Sequence, residues 1–143
     1  MEANLEGVES AGLQAGVEAI VEEDVTAAMA ASELGSGDVE VLATPAVLVL
    51  AERAAMAALR GRLPPGTTTV GTWAEVHHMA PTPLGAKVHA TARLEKVDGR
   101  RLEFTFTVSD PAGEVAKGTH RRTLVSREVF MASAADRLGG QPK

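Results

Sequence analysis

Two side chains in the 143-residue sequence stand out because their neighbours do not explain them. Glu52 lies in the run from Thr44 to Arg60, and the residues three and four places from it are Leu48, Val49, Ala55 and Met56. None is basic, so no i,i+4 ion pair accounts for the carboxylate, and Arg53 points about 100° away around a helix. A carboxylate on an apolar helix surface is costly unless it is paired or used. The bland alternative is a Glu at the edge of the stripe, reaching water or a sheet residue. His78 ends an extended segment, Val70 to Met79, in which period two puts Val70, Thr72, Ala74, Val76 and His78 on one face. That face is small and apolar, so it is expected to meet the helix, while Trp73, Glu75 and His77 point away. A satisfied core histidine is the alternative here. An acid and an imidazole on facing apolar surfaces make a general-base pair.

Thr44 precedes Pro45 at the start of the same run, where a threonine hydroxyl is explained by helix capping. A helix start also presents backbone N–H groups to a developing oxyanion. No metal site is expected, because His77 and His78 point to opposite faces and no metal-ligand spacing occurs. Arg121-Arg122 and Arg100-Arg101 read as solvated strand charges.

These residues need elements to hold them. Val17 to Val25 reads as a strand, Thr26 to Leu34 as a short helix stopped at Gly35-Ser36-Gly37, and Asp38 to Leu42 as a strand stub. Thr44 to Arg60 is the clearest helix: Arg53 and Arg60 mark its exposed side and the rest is apolar. Four strands follow, over Val70–Met79, Ala86–Val97, Arg101–Asp110 and Val115–Val125. Asp98-Gly99 and Pro111-Ala112-Gly113 at the joints make antiparallel hairpins the natural reading. A short helix is expected over Arg127 to Leu138. The economical packing is α+β, a sheet wrapped around one long helix, with a cone-shaped α+β pocket fold as the runner-up. One domain over 15–130 is expected, with a loose lead-in over 1–14 and a tail over 131–143.

Composition narrows the function. No residue is cysteine, which excludes thiol chemistry and fits a cytoplasmic protein. A net charge of −5 argues against a nucleic-acid partner, and the longest apolar run, Ala46 to Ala51, is too short to cross a membrane. With one Trp, three Phe and no Tyr, the core must be built from Ala, Val and Leu.

Taken together, Ala43-Thr44, Glu52, Val70-Gly71-Thr72, His78, Ala80, Thr82-Pro83, the stretch Val97 to Leu102 and Gly118-Thr119-His120 resemble the fluoroacetyl-CoA thioesterase-like group of hotdog proteins. The resemblance implies the hotdog fold, and it matches Thr44, Glu52 and His78 to a catalytic Thr/Glu/His set. It matches Gly71 and Arg122 to positions that line the site and place the acyl-CoA. It also implies a homodimer with active sites at the subunit interface, and coenzyme A as part of the substrate with no bound cofactor.

Two departures stand out. Pro45 has no N–H to offer an oxyanion, and Asp38 stands about where the fluoroacetyl-specific pattern has a phenylalanine over the pocket. Eight residues of helix separate Thr44 from Glu52 by about 12 Å along the axis, too far for both to touch one carbonyl. Either Thr44 only caps or orients, or the two groups serve a site assembled from two subunits, and the second is the expectation. The reading is an acyl-CoA thioesterase for a small or medium acyl group other than fluoroacetyl. The alternatives are a non-catalytic acyl-CoA or small-ligand binding protein and a hydratase, whose Asp/His segment is not found.

Overall fold

A computed structural model describes residues 13–139. In chain order the elements are β1 (Glu18–Asp24), a 3-10 turn (Ala27–Met29), α1 (Ala31–Leu34), α2 (Thr44–Leu59), β2 (Thr67–His78), β3 (Lys87–Asp98), β4 (Arg101–Asp110), β5 (Gly113–Ser126) and α3 (Arg127–Arg137). The strands form one antiparallel sheet in the order β1-β3-β4-β5-β2, and α2 packs chiefly against β1 and β3. This is the α+β layering that the sequence leads one to expect.

The small side chains of α2 explain how the helix is accommodated. Ala46, Ala51, Ala54, Ala55 and Ala58 are all buried, and their Cβ atoms let the helix approach the sheet closely. Opposite them, Val88, Ala90, Ala92 and Leu94 of β3 and Leu102, Phe104, Phe106 and Val108 of β4 are buried, as strand alternation requires. Gly99, with φ of +62°, opens the two-residue turn that joins β3 to β4. Of the four rings, Phe104 and Phe106 are in the core, while Trp73 and Phe130 remain exposed.

Several boundaries differ from expectation. The helix expected over Thr26 to Leu34 is split at Ala30, which is extended and bridges Leu42. The strand stub over Asp38 to Leu42 shrinks to isolated bridges at Val41 and Leu42, and Asp38 lies in an exposed bend. Leu13, in the stretch read as a loose lead-in, is fully buried, while the rest of that reading up to residue 12 lies outside the described residues. The last helix runs through residue 130 without a break, its start capped by Ser126 Oγ accepting from the Val129 amide at 3.2 Å.

The largest correction concerns β2. A bulge at Thr72 shifts the pairing with β5, so that Gly71 faces Arg122 and Trp73 faces Arg121. One extra residue reverses the alternation. Before the bulge the odd residues turn inward, with Thr69 buried and Gly71 against Glu52. After it the even residues Ala74, Val76 and His78 are the less exposed set. Val70 and Thr72, expected on the inner face with His78, are therefore out of phase with it.

The sheet's two edges also differ. β1 carries Glu18, Glu22, Glu23 and Asp24 among its seven residues, each paired with a basic side chain of β3 or α2. β2 is twelve residues long and has a single acid, Glu75.

Candidate active site

Glu52, His78, Thr44, Gly71 and Arg122 fall into two groups, one at the start of α2 and one at its middle. At the helix start, Thr44 Oγ1 and His78 Nδ1 are joined by a 2.8 Å hydrogen bond. The expected capping role for Thr44 does not hold. Ala43 is the N-cap, without a side-chain bond, Thr44 is the first helical residue and Pro45 follows it. The Thr44 hydroxyl is thus committed to β2, not to its own helix. The other ring nitrogen, His78 Nε2, is buried and has no hydrogen-bond partner among the described residues. A buried polar atom without a partner is uncommon enough to mark a position where something else is to be bound.

Two turns further along α2, Glu52 belongs to a second group. Its Oε2 lies 3.9 Å from Arg122 Nη1, and a Cβ built on Gly71 would come within 2.8 Å of the same oxygen. That Cβ would also stand 3.2 Å from His120 Cε1 and 3.5 Å from Arg122 Nη1. Glycine at 71 is therefore what lets the carboxylate, the imidazole and the guanidinium converge. The sequence expectation for Arg122 as a solvated charge fails, since its side chain is only 7% exposed. It lies on the inner face of β5 with His120 and Leu124, while Arg121 faces outward, its guanidinium 4.1 Å above the Trp73 ring and 3.1 Å from Glu103.

Four hydrogen bonds hold Arg122. Nε donates to Thr69 Oγ1 at 2.8 Å, Nη2 to the Thr69 carbonyl at 3.0 Å and to Met56 Sδ at 3.3 Å, and Nη1 to His120 Nε2 at 3.1 Å. A guanidinium has five N–H groups, so one Nη1 hydrogen is left over, on the nitrogen nearest Glu52. Burial pushes the Arg122 pKa down from its ordinary value, and Glu52 opposes that shift. Burial also lowers that of His120; the Trp73 carbonyl opposes it, Arg122 adds to it and Glu52 opposes it.

Glu52 does not pair with His78 within one chain: no hydrogen bond or ion pair joins them among the described residues. Nor is Glu52 enclosed. Its side chain is 38% exposed, and the exposed stripe of α2 includes Val49 and Met56 as well as the expected Arg53 and Arg60. Arg53 turns away, as expected, to Glu23 of β1 at 2.9 Å. Val21, Glu23, Val49, Glu52, Arg53, Met56, Arg60 and Arg122 line an open groove of about 480 Å³. Its apolar walls suit an acyl or alkyl chain, and its floor offers a carboxylate beside a guanidinium. Among the described residues no group of three or more His, Asp or Glu is placed to hold a metal, and no helix is long and apolar enough to cross a membrane.

Thr69 and His120 are site residues that the sequence reading gave no role. The signal was present in β5, where Ala116, Gly118, His120, Arg122 and Leu124 share one face by period two, the inner one. An imidazole and a guanidinium between apolar neighbours on that face point inward.

Comparisons with known proteins agree on the fold and the family. The fluoroacetyl-CoA-specific thioesterase family profile matches residues 21–128. The fluoroacetyl-CoA thioesterase of Streptantibioticus cattleyicolor is 40% identical over 93 residues, 65% of this chain and 67% of that one. A variant of the fluoroacetyl-CoA thioesterase solved with acetyl-CoA superposes with a TM-score of 0.83 at 30% identity, covering 87% of this chain and 98% of that one. A hotdog-like protein from Thermanaerovibrio acidaminovorans gives 0.81 at 29% identity, covering 89% and 94%. The fold is the hotdog fold.

Proposed function

The chain belongs to the fluoroacetyl-CoA-specific thioesterase family, and from that premise we propose that it hydrolyses a small or medium acyl-CoA thioester other than fluoroacetyl-CoA. The observation that carries the reading is the convergence of Glu52, Arg122 and His120 on Gly71, with Glu52 and Arg122 also lining the open groove. Gly71 and Arg122 place the acyl group there, and the spare Nη1 hydrogen of Arg122 serves an oxygen of the bound thioester. The exposed acid at Asp38, in place of a ring, speaks against the fluoroacetyl group.

The chemistry is balanced simply. Glu52 takes a proton from the water that attacks the thioester carbonyl, or attacks it directly to form an acyl anhydride that water then hydrolyses, restoring the carboxylate. The C–S bond breaks, the oxygen of water ends in the carboxylic acid, and the CoA sulfur leaves with a proton. His78, held by Thr44, carries that proton through Nε2. First-turn N–H groups of α2, from Thr44 and Ala46, stabilise the oxyanion, since Pro45 has none to give.

A single chain keeps Glu52 and the Thr44–His78 pair apart, so the working site is shared by two copies. The unpaired β2 edge and the unpartnered Nε2 of His78 support this homodimer. The protein acts in the cytoplasm, consistent with its lack of cysteine. Coenzyme A enters as part of the substrate.

The test is hydrolysis of short, branched, aromatic and long acyl-CoAs by wild type, Glu52→Ala and His78→Ala. Turnover that both substitutions abolish supports the reading. Turnover indifferent to both overturns the site, and acyl-CoA binding without any turnover makes the protein a binding module.

A further inference from the structure

His120 has no role in the chemistry above, yet it is 2% exposed and hydrogen-bonded at both ring nitrogens. We propose that His120 is a positioning residue, a fixed hydrogen-bond acceptor that aims the Arg122 guanidinium at the Glu52 site. The inference rests on the thioesterase reading for its kinetic consequence, but its geometry does not.

The argument starts from what each partner is able to do. The Trp73 backbone oxygen, 3.2 Å from Nδ1, only accepts, so Nδ1 must carry the ring proton. Arg122 Nη1, 3.1 Å from Nε2, only donates, so Nε2 must offer its lone pair. Both contacts are satisfied by one species, the neutral Nδ1–H tautomer. Trp73 follows the Thr72 bulge directly, so the irregularity that turns Gly71 toward Glu52 also sets the carbonyl that fixes this tautomer.

The acceptor matters because of where it acts. Thr69 and Met56 take up Nε and Nη2, which fixes one side of the guanidinium plane. His120 accepts one hydrogen of Nη1, the nitrogen nearest Glu52, and so tethers the remaining corner of a rigid plane. Without that tether the guanidinium as a whole is free to tilt toward the Glu52 carboxylate and close the space a substrate oxygen would use. Protonating His120 has the same effect by another route, because a donor at Nε2 then meets a donor on a cation. The groups facing the ring are Arg122 from β5 itself, Glu52 from α2, the Trp73 carbonyl from β2 and the Phe104 ring from β4, 6.3 Å away. Burial and Arg122 oppose a charged imidazole, and the Trp73 carbonyl and Glu52 favour it.

Two amide substitutions separate the ring nitrogens. His120→Gln places an oxygen near the Nε2 position and keeps an acceptor for Arg122. His120→Asn reaches only the Nδ1 position, so it keeps the Trp73 contact and loses the acceptor. Steady-state kinetics on the best acyl-CoA should show His120→Gln within about threefold of wild type in kcat/KM, with His120→Asn about tenfold or more lower at matched melting temperature. Nitrogen-15 NMR of the histidine rings in the wild-type protein should show His120 protonated at Nδ1 and bare at Nε2. Equal kinetics for the two variants, or an Nε2–H tautomer, overturns the proposal. If the wild type hydrolyses no acyl-CoA, the thioesterase reading fails alone, and the tautomer still decides whether His120 is the acceptor for Arg122.

Discussion

The start and the middle of α2 handle polar groups in opposite ways. At its start, Thr44 and His78 form a sparse pair with one buried nitrogen left without a partner. At its middle, Glu52, Arg122, His120 and Thr69 form a dense charged network in which nearly every donor is used. A saturated network holds its own shape and presents a fixed surface, whereas an unsaturated pair waits for another group. In the proposed mechanism the dense end holds the acyl group, the sparse end moves a proton, and a second copy brings the two together.

The contrast is broken most forcefully by removing the one group that must react. Glu52→Gln keeps the shape of the dense end and is expected to lower kcat by about 10³-fold, read by thiol release from acyl-CoA. His78→Ala removes the proton carrier and should lower kcat by about 10²-fold with KM little changed. If it raised KM instead, the sparse end would be a binding device.

Gly71→Ala sharpens the division between function and fold. Its Cβ displaces a flexible carboxylate, so kcat/KM should fall about tenfold while the melting temperature holds. Gly118→Ala is the counterpart, because its Cβ would collide with the Glu75 carbonyl and crowd the Phe106 ring. There stability should fall, which a thermal melt reads directly.

The smallest effect is a pH dependence. Burial, aided by the Arg122 charge, holds the His120 pKa below its ordinary 6.5, against the pull of the Trp73 carbonyl and Glu52. The unfolded chain therefore binds this proton at higher pH than the folded one. The contribution is complete above the unfolded value and is lost as pH falls from there toward the folded pKa. Melting temperatures of wild type should drop on acidification below about pH 6.5 more steeply than those of His120→Gln.

How far these features are legible in the sequence depends on whether local pattern governs them. The inner faces of β3 and β4 follow from simple alternation, and Glu52 stands out because nothing on its own helix pairs with it. The bulge at Thr72 has no signature in period-two reasoning, so the phase of β2 is right for His78 and wrong for Val70 and Thr72. Arg122 reads as a surface charge because arginine on a strand usually is one. What buries it is Thr69, 53 residues away in the chain. The Thr44 hydroxyl is misread for the same reason: capping is the local explanation, and the actual partner is 34 residues on.

The central claim is that Glu52 of one copy works with His78 of another. Co-expressing Glu52→Gln and His78→Ala chains with different tags, and purifying the mixed dimer, tests it most directly. One of its two sites would then hold both native groups, so the mixed dimer should show about half the wild-type acyl-CoA hydrolysis although each parent variant is nearly inactive. A mixed dimer as inactive as its parents would contradict the account and place both residues in a site within one chain.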